Sequence, residues 1–243
     1  MFRTILLSAL GAGIAACVAM TALQAFTTGP LILHAEAFEG GGHDHGAAAH
    51  EHDAGVAAHD HDQVAAATAA DEAEEWGPAD GAERTAFTAL ANLVVGVGVS
   101  LILLAVMVLS GRPTDARTGV LWGAGAFVAV SLLPSLGLPP ELPGTPAGEL
   151  LHRQLWWVGT GAVSAFGLAL IAFGRSWLAA VAGVVVIVAP HVIGAPVPPS
   201  HDVSYPGALA GEFVVSSLVV SAAMWLFSGA VVGWLYQRLS RPA

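Results

Sequence analysis

Lysine is absent from this 243-residue chain, and cysteine occurs once, at Cys17. Without lysine there is no Walker-A phosphate loop and no Schiff-base chemistry. A lone cysteine excludes internal disulfides and Cys-rich zinc or iron–sulfur sites. Charge is scarce as well. Only 11% of residues are charged, against about a quarter in a soluble domain. The metalloprotease pattern HExxH is missing, since "HEHD" at 50–53 lacks its spacing. Paired histidines within spans, which bis-His haem would need, are also missing. These gaps argue against an enzyme and against nucleic-acid binding.

What is present is apolar surface. Hydrophobic residues make up 55% of the chain, and mean hydropathy is +0.70. Long apolar runs place it in the integral-membrane class. About 20 apolar residues cross the hydrocarbon core as a helix. Six segments qualify, at approximately 4–26, 86–109, 118–138, 155–173, 177–193 and 209–236. The fourth and fifth are separated only by Gly174-Arg175-Ser176. Read as one helix they would be about 58 Å long, nearly twice the membrane thickness. A tight hairpin is therefore expected, with five spans as the alternative. The fold expected is an all-α integral membrane protein of about six transmembrane helices. Its parts are a signal-anchor helix over 1–26, an outer His/acid-rich loop over 27–85, and a five-helix bundle over 86–243. "IAAC" at 14–17 resembles a lipoprotein cleavage box, but the apolar run continues to Phe26, as in an uncleaved anchor.

Arginine sets the orientation. With the N-terminus in the cytoplasm, Arg3, Arg112, Arg117, Arg175, Arg238 and Arg241 fall inside, and only Arg84 and Arg153 outside. Of the acids, only Asp115 then lies inside, and every histidine lies outside. This describes a multi-pass membrane protein with both termini cytoplasmic and its histidines facing a periplasm-like space.

The long outer loop holds three His-acid-His triplets: His43 and His45, His50 and His52, His59 and His61. Its centre, about 40–83, is mostly Gly, Ala, Asp, Glu and His. Such a composition buries too little apolar surface to offset ordering entropy, so disorder is expected. In an extended chain, side chains at i and i+2 point the same way. Each triplet can offer two imidazoles to one divalent ion, Co²⁺, Ni²⁺, Zn²⁺ or Cu²⁺, with carboxylates adding oxygen ligands. Protonated imidazole is not a ligand, so binding should weaken as pH falls through roughly 6.5. The bland reading is a solubilising acidic tract.

Ordered candidates lie elsewhere. "APHVIGAPVPPSHD" over 189–202 holds His191, His201 and Asp202 in a proline-stiffened outer segment. A Pro-broken helix end beside a histidine is one way transporters build ion sites. The bland alternative is an ordinary outer turn. His152 stands in "LHRQLWW" beside Arg153, where interfacial packing competes with a ligand role. His34, Glu36 and Glu39 follow the first span. Glu212 starts the last span, either as a helix cap or as a buried acid needing a partner such as Arg153 or a metal. No histidine or acid lies at mid-span. Hydroxyls such as Ser164, Ser217 and Ser221 are poor substitutes, so an ion path would call on a partner chain.

Several stretches carry a resemblance. "TALQAFTTGPLILHAEAFE", "LLPSLGLPPELPGT", "LHRQLWWVGTGAVSAFGLALIAFG", "PHVIGAPVPP" and "EFVVSSLVVSAAMWLFSGAVVGWLYQR" make the chain similar to the CbtA family of proposed cobalt transporter subunits. The resemblance implies cobalt as substrate, a link to cobalamin synthesis, and a small single-span His-bearing partner (CbtB-like) in the lipid bilayer. It carries His34, Glu36, Glu39, His152, Arg153, His191 and His201 as candidate site residues. The tract at 43–62 looks like an insertion relative to the family core.

Overall fold

A computed structural model describes residues 2–40 and 77–241, apart from the side chains of residues 39 and 40. The six tract histidines lie outside the described residues. The elements are α1 (Phe2–Phe26), α2 (Thr28–Gly40), α3 (Ala82–Leu109), α4 (Ala116–Phe127), a π-turn (Val128–Leu132), α5 (Leu133–Ser135), α6 (Leu150–Phe173), α7 (Trp177–Ile193) and α8 (Gly207–Leu239). No strand occurs among the described residues.

Five helical stretches are long and apolar enough to cross a membrane: α1, α3, Ala116–Ser135, α6 and α8. The fifth segment expected from sequence, α7, is apolar but has 17 residues. At 1.5 Å per residue that is about 25 Å, at the short limit for a span. Glycine 174 to serine 176 does break the 155–193 run. Ser176 then caps α7, accepting the Ala179 N–H at 3.2 Å. Helices α6 and α7 fold back on each other, with Gly167 against the Gly183 carbonyl. A Cβ at Gly167 would lie 2.7 Å from that oxygen, so only glycine permits the approach.

Contacts between helices fix their directions. Gly11 meets Leu235, whereas Met20 clusters with Val220, so α1 and α8 are antiparallel. Gly13 meets Val97 and Cys17 Sγ donates to the Ala89 carbonyl, which sets α3 antiparallel to α1. Gly119 meets Gly229 and Gly123 meets Trp225, which sets α4 antiparallel to α8. Trp156 meets Gly137 and His191, so α6 runs opposite to both α4–α5 and α7. The order is up, down, up, down, up, down. Both ends of the described chain therefore lie at one end of the bundle.

Side chains on the outside are greasy. Val18, Val94, Leu121, Val185 and Val215 are each exposed over more than half their surface. The interior, by contrast, is built from small residues such as Ala9, Ala12 and Ala16. A soluble monomer rarely leaves so much contiguous apolar surface uncovered. The arrangement is that of helices packed through small residues with lipid around them.

Residues 28–40 depart from the loop expected over 27–85. They form α2, which packs Ala35 against Leu142, Tyr205, Leu209 and Phe213. Those partners are remote in sequence, so local reading had no access to them. Helix α3 likewise begins at Ala82, inside the expected loop. Pro190 does not end its helix; α7 continues to Ile193.

Candidate functional site at the histidine-bearing end

The helix directions put two sets of residues at opposite ends of the bundle. One end carries Arg3, Arg112, Arg117, Arg175, Arg238 and Arg241, with Asp115 as the acid. The other carries α2, the 136–149 segment and the 194–206 segment, and with them His34, His152, His191 and His201.

At this second end both arginines are tied to carboxylates. Arg84 grips Glu36 with two nitrogens, the Nη1–Oε2 contact being 2.9 Å, and reaches Asp80 Oδ1 at 2.9 Å. A planar fork meeting a carboxylate in this way is a strong form of ion pair. Glu36 thereby clamps α2 to the start of α3. Arg153 pairs with Glu141. This corrects the partnership considered for Glu212, which is exposed and lies beyond the first turn of α8.

Glu141, missed in the sequence reading, lies in a pocket of about 360 Å³. Pro139, Pro140, Pro146, Pro196 and Pro198 wall it, and Arg153, Ser200 and His201 add polar groups. Proline fixes φ and offers no N–H, so these walls are stiff. Tyr205 and Thr145 share a hydrogen bond across the two segments. Thr145 also bonds the Leu142 carbonyl. The pocket thus has one carboxylate and one imidazole on rigid backbone, with a guanidinium holding the carboxylate.

The other candidates are placed as follows. His34 is exposed, with its ring 5.4 Å from Phe38. Glu39 belongs to α2, but its side chain lies outside the described residues. His152 Nδ1 sits 2.8 Å from Glu149 Oε2, both well exposed. His201 and Asp202 are exposed. His191 is half-buried, with a carbonyl oxygen against each ring nitrogen. Its Nδ1 is 3.0 Å from the Ile187 carbonyl and its Nε2 is 2.9 Å from the Leu133 carbonyl. A neutral imidazole has one N–H and serves one of these oxygens. A metal on His191 would have to displace a carbonyl contact.

The structure therefore gathers Glu141, Arg153 and His201 into one pocket and joins Glu36 to Arg84. Among the described residues no group of three or more His, Cys, Asp or Glu is placed to hold a metal ion. The polar residues of the upper α1–α3 seam serve each other: Asn92 donates to Gln24 at 2.7 Å and to Thr21 at 3.0 Å.

A family model described as "probable cobalt transporter subunit (CbtA)" matches residues 2–237. The chain belongs to the CbtA family. Comparison with curated proteins and with solved structures finds no match. Membership implies cobalt as the substrate, and a transporter subunit implies a partner and a lipid bilayer.

Proposed function

We propose that this chain is the membrane subunit of a cobalt uptake system, with its histidine-bearing end facing outward. The observation that carries this is the split between the bundle's ends in a member of a cobalt transporter family. Six arginines gather at one end, where the positive-inside rule favours the cytoplasm. Both arginines at the other end are tied to carboxylates. The bundle then crosses a bacterial inner membrane six times, α7 being the short crossing, with both termini cytoplasmic. The His-acid tract at 43–62 collects Co²⁺, and the proline-walled pocket with Glu141 and His201 receives it. His34, Glu36, Glu39, His152, His191 and Asp202 surround that entry. A small single-span His-bearing partner completes the transporter. Transport is the role, not catalysis.

A second reading is delivery: the chain binds cobalt outside and passes it to another chain. It draws on the lack of a three-residue metal cluster among the described residues. Uptake of radioactive cobalt into proteoliposomes separates the two. The transport reading predicts metal-specific flux once the partner is present, and the delivery reading predicts binding without flux.

A further inference from the structure

Of the four buried side-chain polar atoms without a hydrogen-bond partner among the described residues, three follow one another along α6. They are Trp156 Nε1, Thr160 Oγ1 and Ser164 Oγ, spaced four residues apart. That spacing places them on one face of the helix. The fourth, Ser100, is on α3, which does not pack on α6. Thr160 is 2% exposed and Ser164 is fully buried. A buried hydroxyl left unpaired keeps the full penalty of losing its water. Hydroxyls in membrane helices commonly bond the carbonyl one turn back, and these two do not.

The facing element adds an acceptor. In the π-turn the Leu133 N–H bonds the Val128 carbonyl, five residues back. In that register the next carbonyl, Ala129, would accept from residue 134, and Pro134 has no N–H to give. The Ala129 carbonyl faces α6 at Gly161, where a Cβ would stand 3.7 Å from it. Gly161 lies between Thr160 and Ser164. A broken backbone register at membrane depth is tolerated where it is buried in protein or lines water, and π-turns recur at functional sites.

The line has a direction. Its outer member, Trp156, meets His191 edge-on with ring centroids 6.1 Å apart. Thr160 and Ser164 are about 15 and 21 Å along a helix about 36 Å long. The file therefore runs from the histidine-bearing end past mid-span.

We propose that the seam between α6 and the π-turn, lined by Thr160, Ser164 and the Ala129 carbonyl, is a hydrated-cation path inward from the histidine-bearing end. This rests on the transport reading. Neutral oxygens suit transit: they replace part of an ion's water shell without holding it as imidazole or carboxylate would. In the sequence alone hydroxyls are poor substitutes for mid-span charge; buried without a partner, beside the Ala129 carbonyl at Gly161, these two are left available to an ion.

The test is thiol accessibility in the full-length chain in membrane vesicles, with Cys17→Ser as background. Thr160→Cys and Ser164→Cys are made singly, with Ser221→Cys as control. Ser221 lies at a similar depth on α8 but is bonded to Ser131 Oγ at 2.8 Å. Cysteine is close in size to serine, and only the ionised thiolate reacts. The probe is aminoethyl methanethiosulfonate. The expected result is labelling at 160 and 164, slowed by cobalt(II) chloride, and none at 221. Inert thiols at both positions would overturn the path. Labelling that cobalt leaves unchanged would overturn its assignment to a cation. Failure of the unaltered chain to carry cobalt would count against the transport reading alone, since labelling reports water access without flux.

Discussion

His191 Nε2 on α7 lies 2.9 Å from the Leu133 carbonyl oxygen on α5, joining a proline-bearing helix to the turn beside Pro134. The ring therefore ties two elements together as well as standing near the mouth of the bundle. His191→Ala should lower cobalt uptake more than loss of any single tract histidine. His191→Gln separates the two roles, because its amide N–H can still reach the carbonyl. We expect His191→Gln to recover thermal stability but not uptake. Recovery of uptake as well would make the role structural.

Small residues carry the helix packing, and their replacement has a sharp expected pattern. A Cβ at Gly119 would sit 1.9 Å from the Gly229 carbonyl oxygen, whereas one at Gly125 meets open space. Gly119→Ala should cost about 1–3 kcal/mol or more, since backbone must move. Gly125→Ala should be near neutral. Thermal unfolding in detergent followed by tryptophan fluorescence distinguishes them.

Asp115 caps α4 by accepting the Thr118 N–H at 2.9 Å. That bond, with the Thr118 hydroxyl, holds its carboxyl below the usual carboxylate range. The depressed value sets the sign. The cap contributes fully above the unfolded carboxyl value of about 3.9 and is lost as pH falls through the lower folded value. Asp115→Ala should unfold at lower temperature than the parent at neutral pH. The gap should close in strong acid. A gap that persists there would contradict the capping account.

Deleting 43–62 should weaken cobalt binding, measured by competition titration, and leave the protein in the membrane. Binding should also fall as pH drops through the imidazole range, about 6.5. Loss of the protein from the membrane would mean the tract is part of the folded core.

Much of this was legible in the sequence. Apolar runs near the length of a membrane located the five helices long enough to cross it and the shorter α7, because burial in lipid demands continuous helix. Gly174-Arg175-Ser176 announced the hairpin, because a headgroup-seeking arginine and a capping serine interrupt an otherwise seamless run. Helix α2 was not legible: its stability comes from Tyr205, Leu209 and Phe213, and no local pattern encodes them. The Glu141–Arg153 pair was hidden by intervening prolines that fold the 139–149 segment back onto α6. The π-turn was equally hidden. Ser131 accepts from Ser221 and from Trp225 of α8, a tie between helices about ninety residues apart. The metal-ligand candidates in the tract fall outside the described residues.

The account depends most on which end faces outward, and labelling of intact cells with an impermeant maleimide measures that directly. In a Cys17→Ser background, Ser200→Cys lies in the 194–206 segment and Thr114→Cys in the loop between α3 and α4. The account predicts that Ser200→Cys labels from outside and that Thr114→Cys labels only after the membrane is opened. The reverse pattern would put the histidines in the cytosol and contradict uptake through this end.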